Sequence, residues 1–535
     1  MKSQPNPTQE ITPRQGLKNK ILVIGIDGGT LDIVLPMVQE GKLPNLSKLI
    51  QNGAYGTLMS SIPPVTAPAW ASFITGTNPG QHGVYYFFKI EKDLLDGGNR
   101  KILANLNHIR GIPFWKVLNK HGQRVALLNI PLTYPPQKVN GFMVSGMLVP
   151  KGSTDFTYPP ELFSRLDEYY VDIDGLMVAD KWRAEELVEK DRTLFIRNVF
   201  RLSKSRARNA LKLMKQEPWD LFMVVFTGSD RMCHFFWEDP DSEGSISPSI
   251  QEYYILLDAL MGDLVRAAGE DTVKIVMSDH GFGPAPNKKI NTFALAKILG
   301  ADMRSPAFRY RYLKNRILSK IGGVRRKTLI DLLLQENLKT ALMPMYANFL
   351  GIHIQPKNNQ GLQPQLIDKL QTLRDPLSDE KMVARILPRD SVFRGTFAGN
   401  APDFVAQFSY QYQLGFDMRS NQLVSDITKR VKTGEHRMEG LFIACGPQIE
   451  PGKLEGEFVI QDVTPTLLYL AGTPIPENYD GRLMTALFSN DYLSANKPSY
   501  QVGEDKLALG PHQATGAEQD DFEKSKALLE GLGYL

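Results

Sequence analysis

The stretch KILVIGIDGGT, Lys20–Thr30, frames the reading of the whole chain. Ile21–Ile26 is a continuous apolar run rich in β-branched residues, and a run without polar alternation reads as a strand buried on both faces, as in parallel sheets. It stops at Asp27, where Gly28-Gly29-Thr30 supplies the turn. Similar runs recur at RVALLNI (Arg124–Ile130), DLFMVVF (Asp220–Phe226), TVKIVMSD (Thr272–Asp279), PDFVAQF (Pro402–Phe408) and GLFIACG (Gly440–Gly446). Helical patterns stand between them, among them LPNLSKLIQNG (Leu43–Gly53) and VTPTLLYLAG (Val463–Gly472), the second expected to start at Pro465 behind a Thr464 cap. Strands alternating with helices give an α/β class, a three-layer α/β/α arrangement around a mostly parallel central sheet.

Two regions break this rhythm. Residues 155–217 read as long, charge-rich helices, and an insertion at about 291–390 is expected to be a helical cap containing the basic stretch RYRYLKNRILSKIGGVRRKTL (Arg309–Leu329). The expected organisation is a flexible leader over 1–18, a catalytic domain over 19–490 carrying that cap, and a tail over 491–535 ending in a short docking helix.

Composition narrows the function classes. With 62 Lys and Arg against 58 Asp and Glu the formal charge is +4, too small for this length to call for a nucleic-acid polymer. Two cysteines, Cys233 and Cys445, form no disulfide framework and fit a reducing compartment. The polar leader lacks a signal-peptide core and no run reaches transmembrane length, so the expected location is the cytoplasm.

In an open α/β sheet ligands gather beyond the carboxyl ends of the strands. Asp27 ends one strand, TGSDRMCH with Asp230 and His234 follows a second, and SDHGFG with Asp279 and His280 follows a third; His436 stands just before GLFIACG. Three carboxylates and three imidazoles at one edge suffice for two divalent ions, zinc first and manganese second. Thr66, in SSIPPVTAPAWASFITGTNPGQHG (Ser60–Gly83), lies at the expected start of a helix, where it reads either as an ordinary N-cap or as a nucleophile held at a positive helix end.

These motifs, in this order, resemble the alkaline phosphatase superfamily, and within it the type I phosphodiesterases and nucleotide pyrophosphatases. The resemblance runs from about Lys20 to the C-terminus through GIDGGT, PPVTAPAWASFITGTNPGQHGV, NIPLTYPP, GFMVSGML, FTGSDRMCHFFW, MSDHGFGP, APDFV and GEHRMEGLFIACGP. It implies that Asp27, Thr66, Asp279 and His280 hold one ion, that Asp230, His234 and His436 hold the other, and that Thr66 is the nucleophile of a phosphodiester hydrolase acting through a phosphothreonine. His82 is expected to orient the nucleophile segment, and Cys233 to pack as a small buried side chain.

The chain departs from its relatives in places. Many pyrophosphatase relatives carry an asparagine a few residues after the His-Gly, where this chain reads VYYFFK. Sulfatases have an arginine four positions after their modified residue, where Trp70 stands. The expected substrate is a small-molecule phosphate diester, with monoester or phosphonate hydrolysis and phospho-group transfer as alternatives within the superfamily, and a non-catalytic binding protein as the remote one. Selectivity is expected from the VYYFF run and from the insertion, with Arg325 and Arg326 meeting an anionic leaving group.

Overall fold

Ile21–Ile26 lies inside a ten-stranded sheet, paired in parallel with Leu221–Phe226 on one side and with Val273–Met277 on the other. The computed structural model describes residues 19–503 apart from 93–98, 151, 174–183, 239–245, 355–360, 429 and most of 302–339. Beyond Leu221–Phe226 the sheet continues in parallel through Val125–Ile130 and Gly141–Ser145. Every residue of Ile21–Ile26, Leu221–Phe226 and Val125–Ile130 is buried, which requires cover on both faces of the sheet. Side chains from the helices Leu31–Gln39, Thr66–Thr75, Pro248–Ala268 and Val463–Leu470 join these strands in one hydrophobic cluster.

Several expectations change. GLFIACG, observed as Glu439–Cys445, runs antiparallel between Val273–Met277 and Ala54–Met59. Its approach explains the direction: the preceding strand Gly434–Arg437 pairs antiparallel with Gly281–Pro284, so the chain re-enters the sheet from the ligand-bearing edge. PDFVAQF leaves the central sheet altogether. Phe404–Phe408 lies in a four-stranded antiparallel sheet between Phe349–Ile354 and Val383–Pro388, with Thr340–Tyr346 outside. It reads as a core strand because both its faces are buried: Phe404, Ala406 and Phe408 enter one hydrophobic cluster and Val405 another. The helix of VTPTLLYLAG begins at Val463 with Asp462 as its cap, and the Thr464 hydroxyl donates instead to the Phe73 carbonyl.

The insertion has helices at Thr292–Ile298 and Leu362–Gln371, but it also contributes three strands, Thr340–Tyr346, Phe349–Ile354 and Val383–Pro388, where helix is expected. Thr340–Tyr346 and Phe349–Ile354 close a hairpin over Ala347-Asn348, a local pairing that a reading for helical charge patterns overlooks. Its cluster runs from Ile290 to Val424, past 390, because Lys288–Asn291 pairs with Tyr412–Gly415 and Val424–Asp426. The charge-rich region includes a 25-residue helix, Arg192–Gln216. The leader 1–18, the expected docking helix, Arg325 and Arg326 lie outside the described residues. Among the described residues no helix is long and apolar enough to cross a membrane.

Candidate metal centre

Asp27, Asp230, His234, Asp279, His280, His436 and Thr66 are all buried and meet at one edge of the central sheet. Asp27 follows its strand directly, and Gly28 turns the chain at φ +67°; a Cβ there would come within 2.7 Å of the Phe282 ring, so only glycine fits. The Gly28 N–H donates to Asp279 Oδ1 at 3.1 Å, tying two strand ends together. Helix Gly228–Phe236 carries Asp230 and His234 one turn apart, with His234 Nε2 3.4 Å from Asp230 Oδ1. His436 arrives on Gly434–Arg437, opposite Phe282 in the pairing.

Thr66 sits one position off its expected place. Extended Val65 takes the capping position, and Thr66 is the first helical residue, its hydroxyl 3.4 Å from His280 Nε2. His82 accepts the Val84 N–H at Nδ1, so its Nε2–H donates to Ser72 Oγ, on the helix that begins at Thr66. Burial lowers its pKa to about 3 and keeps it neutral. His82 is thereby hydrogen-bonded to the helix that begins at Thr66.

The three remaining imidazoles share one arrangement. Nδ1 of His234 lies 3.2 Å from the Gly434 carbonyl, Nδ1 of His280 3.1 Å from the Gly281 carbonyl, and Nδ1 of His436 2.9 Å from the Pro64 carbonyl. A carbonyl only accepts, so each Nδ1 carries the proton and each Nε2 presents a lone pair. Those lone pairs converge: His436 Nε2 is 3.1 Å from both His234 Nε2 and Asp230 Oδ1, and His280 Nε2 is 3.3 Å from Asp279 Oδ2 and 3.5 Å from Asp27 Oδ1. Burial, their largest common cause, lowers all three imidazole pKa values and leaves the rings uncharged.

The carboxylates complete two groups. Ligand atoms of Asp230, His234 and His436 lie within 4.8 Å of one another, as do those of Asp27, Asp230 and His280, so Asp230 reaches both. Both Asp27 oxygens and Asp279 Oδ2 are buried without a hydrogen-bond donor among the described residues. Burial, reinforced by Asp279 and Asp230, pushes the Asp27 pKa well up; burial also raises Asp279. Acceptors facing acceptors in a dry site is what a cation resolves, and nitrogen with oxygen donors suits zinc or manganese. Cys233 contributes to neither group; burial pushes its thiol pKa well up, and it packs in the core.

Further residues stand around the ligands, of which Tyr346 and Asp172 carry no local signal in the sequence. Tyr346, from the insertion, packs its ring at a tilt of 39° with its centroid 4.9 Å from that of His436, and it donates to Glu435 Oε1, which also accepts the His436 backbone N–H. Tyr85, from VYYFF, packs at 5.4 Å on Phe393 and donates to the Phe397 carbonyl. Asp172, on a loop, and Arg231, inside the TGSDRMCH motif, form a buried ion pair beside Asp230.

A search of curated proteins returns no match. Among solved structures the fold is similar to human ectonucleotide pyrophosphatase/phosphodiesterase 5 (12% identity, 88% of this chain and 100% of that one, TM-score 0.52). It is also similar to phosphonoacetate hydrolase from Sinorhizobium meliloti 1021, solved in complex with phosphonoacetate (14% identity, 85% and 95%, TM-score 0.50). At these identities the likeness is one of fold. The sequence profile described as type I phosphodiesterase/nucleotide pyrophosphatase matches residues 21–435, spanning every candidate ligand except His436, one position beyond. With that match over most of its length, the chain belongs to the type I phosphodiesterase/nucleotide pyrophosphatase family, a family of phosphoric ester hydrolases.

Proposed function

We propose that this protein hydrolyses small-molecule phosphate diesters with two bound divalent ions, zinc first and manganese second, using Thr66 as the nucleophile. The observation that carries the reading is the convergence of three imidazole Nε2 lone pairs, each fixed by a backbone carbonyl at Nδ1, on buried carboxylates: those of His234 and His436 on Asp230 Oδ1, and that of His280 on Asp27 and Asp279 oxygens that have no donor among the described residues. Asp230, His234 and His436 would hold one ion, and Asp27, Asp279, His280 and Thr66 the other. When bound, the ions would supply positive charge to ionise the threonine hydroxyl and to offset charge on the attacking and leaving oxygens.

The protein's own residues do the positioning. Thr66 is held at the first turn of a buried helix braced by His82, so its Oγ meets phosphorus with little freedom to lose. Oγ forms a bond to phosphorus as the substrate's alcohol leaves with its oxygen, and water then cleaves the threonine phosphoester, returning the hydroxyl and releasing a phosphate monoester. The helix N-terminus favours the negative charge that builds there. Tyr346 brings the insertion against His436, and the Tyr85–Phe393 contact joins the VYYFF run to the segment that follows the insertion, which supports a cap role in substrate selection.

The test is Thr66→Ala, expected to lower turnover of bis(p-nitrophenyl) phosphate by roughly 10³-fold or more while changing the unfolding free energy by only about 1 kcal/mol. An acid-quenched reaction of the native chain should carry the substrate's nitrophenyl-phosphoryl group, esterified to the Thr66 hydroxyl, on the peptide containing Thr66. Near-normal turnover in the variant removes the nucleophile assignment. In a panel of dinucleotides, nucleotide sugars, glycerophosphodiesters, monoesters and phosphonoacetate, faster cleavage of monoesters than of every diester removes the diester assignment.

A further inference from the structure

Between its two candidate ligands, helix Gly228–Phe236 buries a third charged group, Arg231, with no exposed surface. Its Nη1 donates to Asp230 Oδ2, and its Nη2 donates to Asp172 Oδ2 at 2.8 Å and lies 3.2 Å from Met147 Sδ. Asp172 is 2% exposed, and its other oxygen accepts the Ile173 N–H at 2.8 Å. The guanidinium holds Asp230 through Oδ2. The other, Oδ1, is the one near His436 Nε2 and His234 Nε2.

A buried guanidinium beside an ion site raises a charge problem. Alone it would repel a dication at close range in a low-dielectric interior. Asp172 cancels that charge, so the Asp172–Arg231 pair adds none to the centre while its planar fork fixes a carboxylate plane. Asp230 also lies within reach of both ligand groups, so which of its oxygens faces the imidazoles has to be set by something outside the groups themselves.

We propose that Arg231, neutralised by Asp172, is a positioning residue that holds Asp230 through Oδ2 and so turns Oδ1 toward the ion held with His234 and His436. The inference rests on the two-ion reading above. It concerns the quality of one site of the two, not the existence of either. Removing the pair leaves the ligands in place and frees the Asp230 carboxylate to rotate.

The experiment compares the native chain with Arg231→Met/Asp172→Asn, which removes the pair at unchanged net charge, and with Arg231→Lys and Asp172→Asn. Zinc affinity is read by competition with a chromophoric chelator, cobalt coordination by visible absorption of the cobalt-loaded protein, and folding by denaturation of the metal-free protein. The double variant is expected to bind one of two zinc ions ~10- to 100-fold more weakly, with the other unchanged and the cobalt spectrum altered. Arg231→Lys should recover part of the loss, and Asp172→Asn should weaken the same ion. Native affinities and spectrum in the folded double variant, or in Asp172→Asn should the double variant not fold, overturn the inference and leave the two-ion reading standing. A native chain that binds no zinc overturns both.

Discussion

Asp27 and Asp230 both stand just beyond the end of a central strand, both are fully buried, and their ligand atoms belong to one group with His280, yet their surroundings drive them in opposite directions. Asp27 has no hydrogen-bond donor among the described residues, and burial with the neighbouring Asp279 and Asp230 pushes its pKa well up. For Asp230 burial also raises the pKa, but His234 and His436 where protonated, and the Arg231 guanidinium at every pH, outweigh it and hold the carboxyl well below the ordinary range. The difference teaches how a two-ion site divides its cost. One half keeps its carboxylate charged with protein groups alone, and the other is complete only with a cation.

The signs follow by linkage. Raised Asp27 favours its protonated form in the folded chain, so the metal-free protein loses stability as pH rises above 3.8; lowered Asp230 contributes stability above 3.8 that is lost as pH falls below it. Asp27→Asn and Asp230→Asn should therefore share one effect and differ in another. Each should lower diester turnover roughly 10²- to 10⁴-fold, the worth of several kcal/mol of charge stabilisation. In the metal-free protein at pH 7, Asp230→Asn should cost on the order of 3 kcal/mol, because Arg231 loses a charged partner. Asp27→Asn should instead stabilise it by about 1–3 kcal/mol, because a buried carboxyl without a donor is removed. Denaturation of both in chelator reads the signs, and equal destabilisation breaks the comparison.

A smaller effect sharpens the contrast by using a histidine outside the ligand groups. His82 titrates at about 3 when folded against 6.5 when free, so its contribution is present above 6.5 and is lost as pH falls toward 3, by up to about 1.4 kcal/mol per pH unit. The stability gap between the native chain and His82→Gln should narrow steadily from pH 6.5 to 4. A gap independent of pH would mean that burial does not hold His82 neutral.

The ligand-bearing edge was legible because each candidate aspartate follows a buried strand whose apolar run announces it: Asp27 after Ile21–Ile26, Asp230 after Leu221–Phe226, Asp279 after Val273–Met277. Strand direction was less so. Antiparallel Glu439–Cys445 and the displaced Phe404–Phe408 have the same composition as parallel core strands, since burial on both faces erases the alternation that separates the settings. Asp172 and Tyr346 carry no local signal, because a loop carboxylate and a strand tyrosine become neighbours of the centre only through long-range pairing. Arg231 was readable in principle: a charge between two ligands on a helix that is buried throughout needs a partner.

The central claim is that two cations complete this edge, and the most direct measurement is an anomalous-scattering map of crystals grown with zinc, paired with elemental analysis of the same protein. The account predicts two ions per chain, one ligated by Asp230, His234 and His436 and the other by Asp27, Asp279, His280 and Thr66, together with loss of both peaks and of diester turnover in chelator. A chain that hydrolyses diesters with no ion at this edge, or that binds zinc only elsewhere, would contradict it.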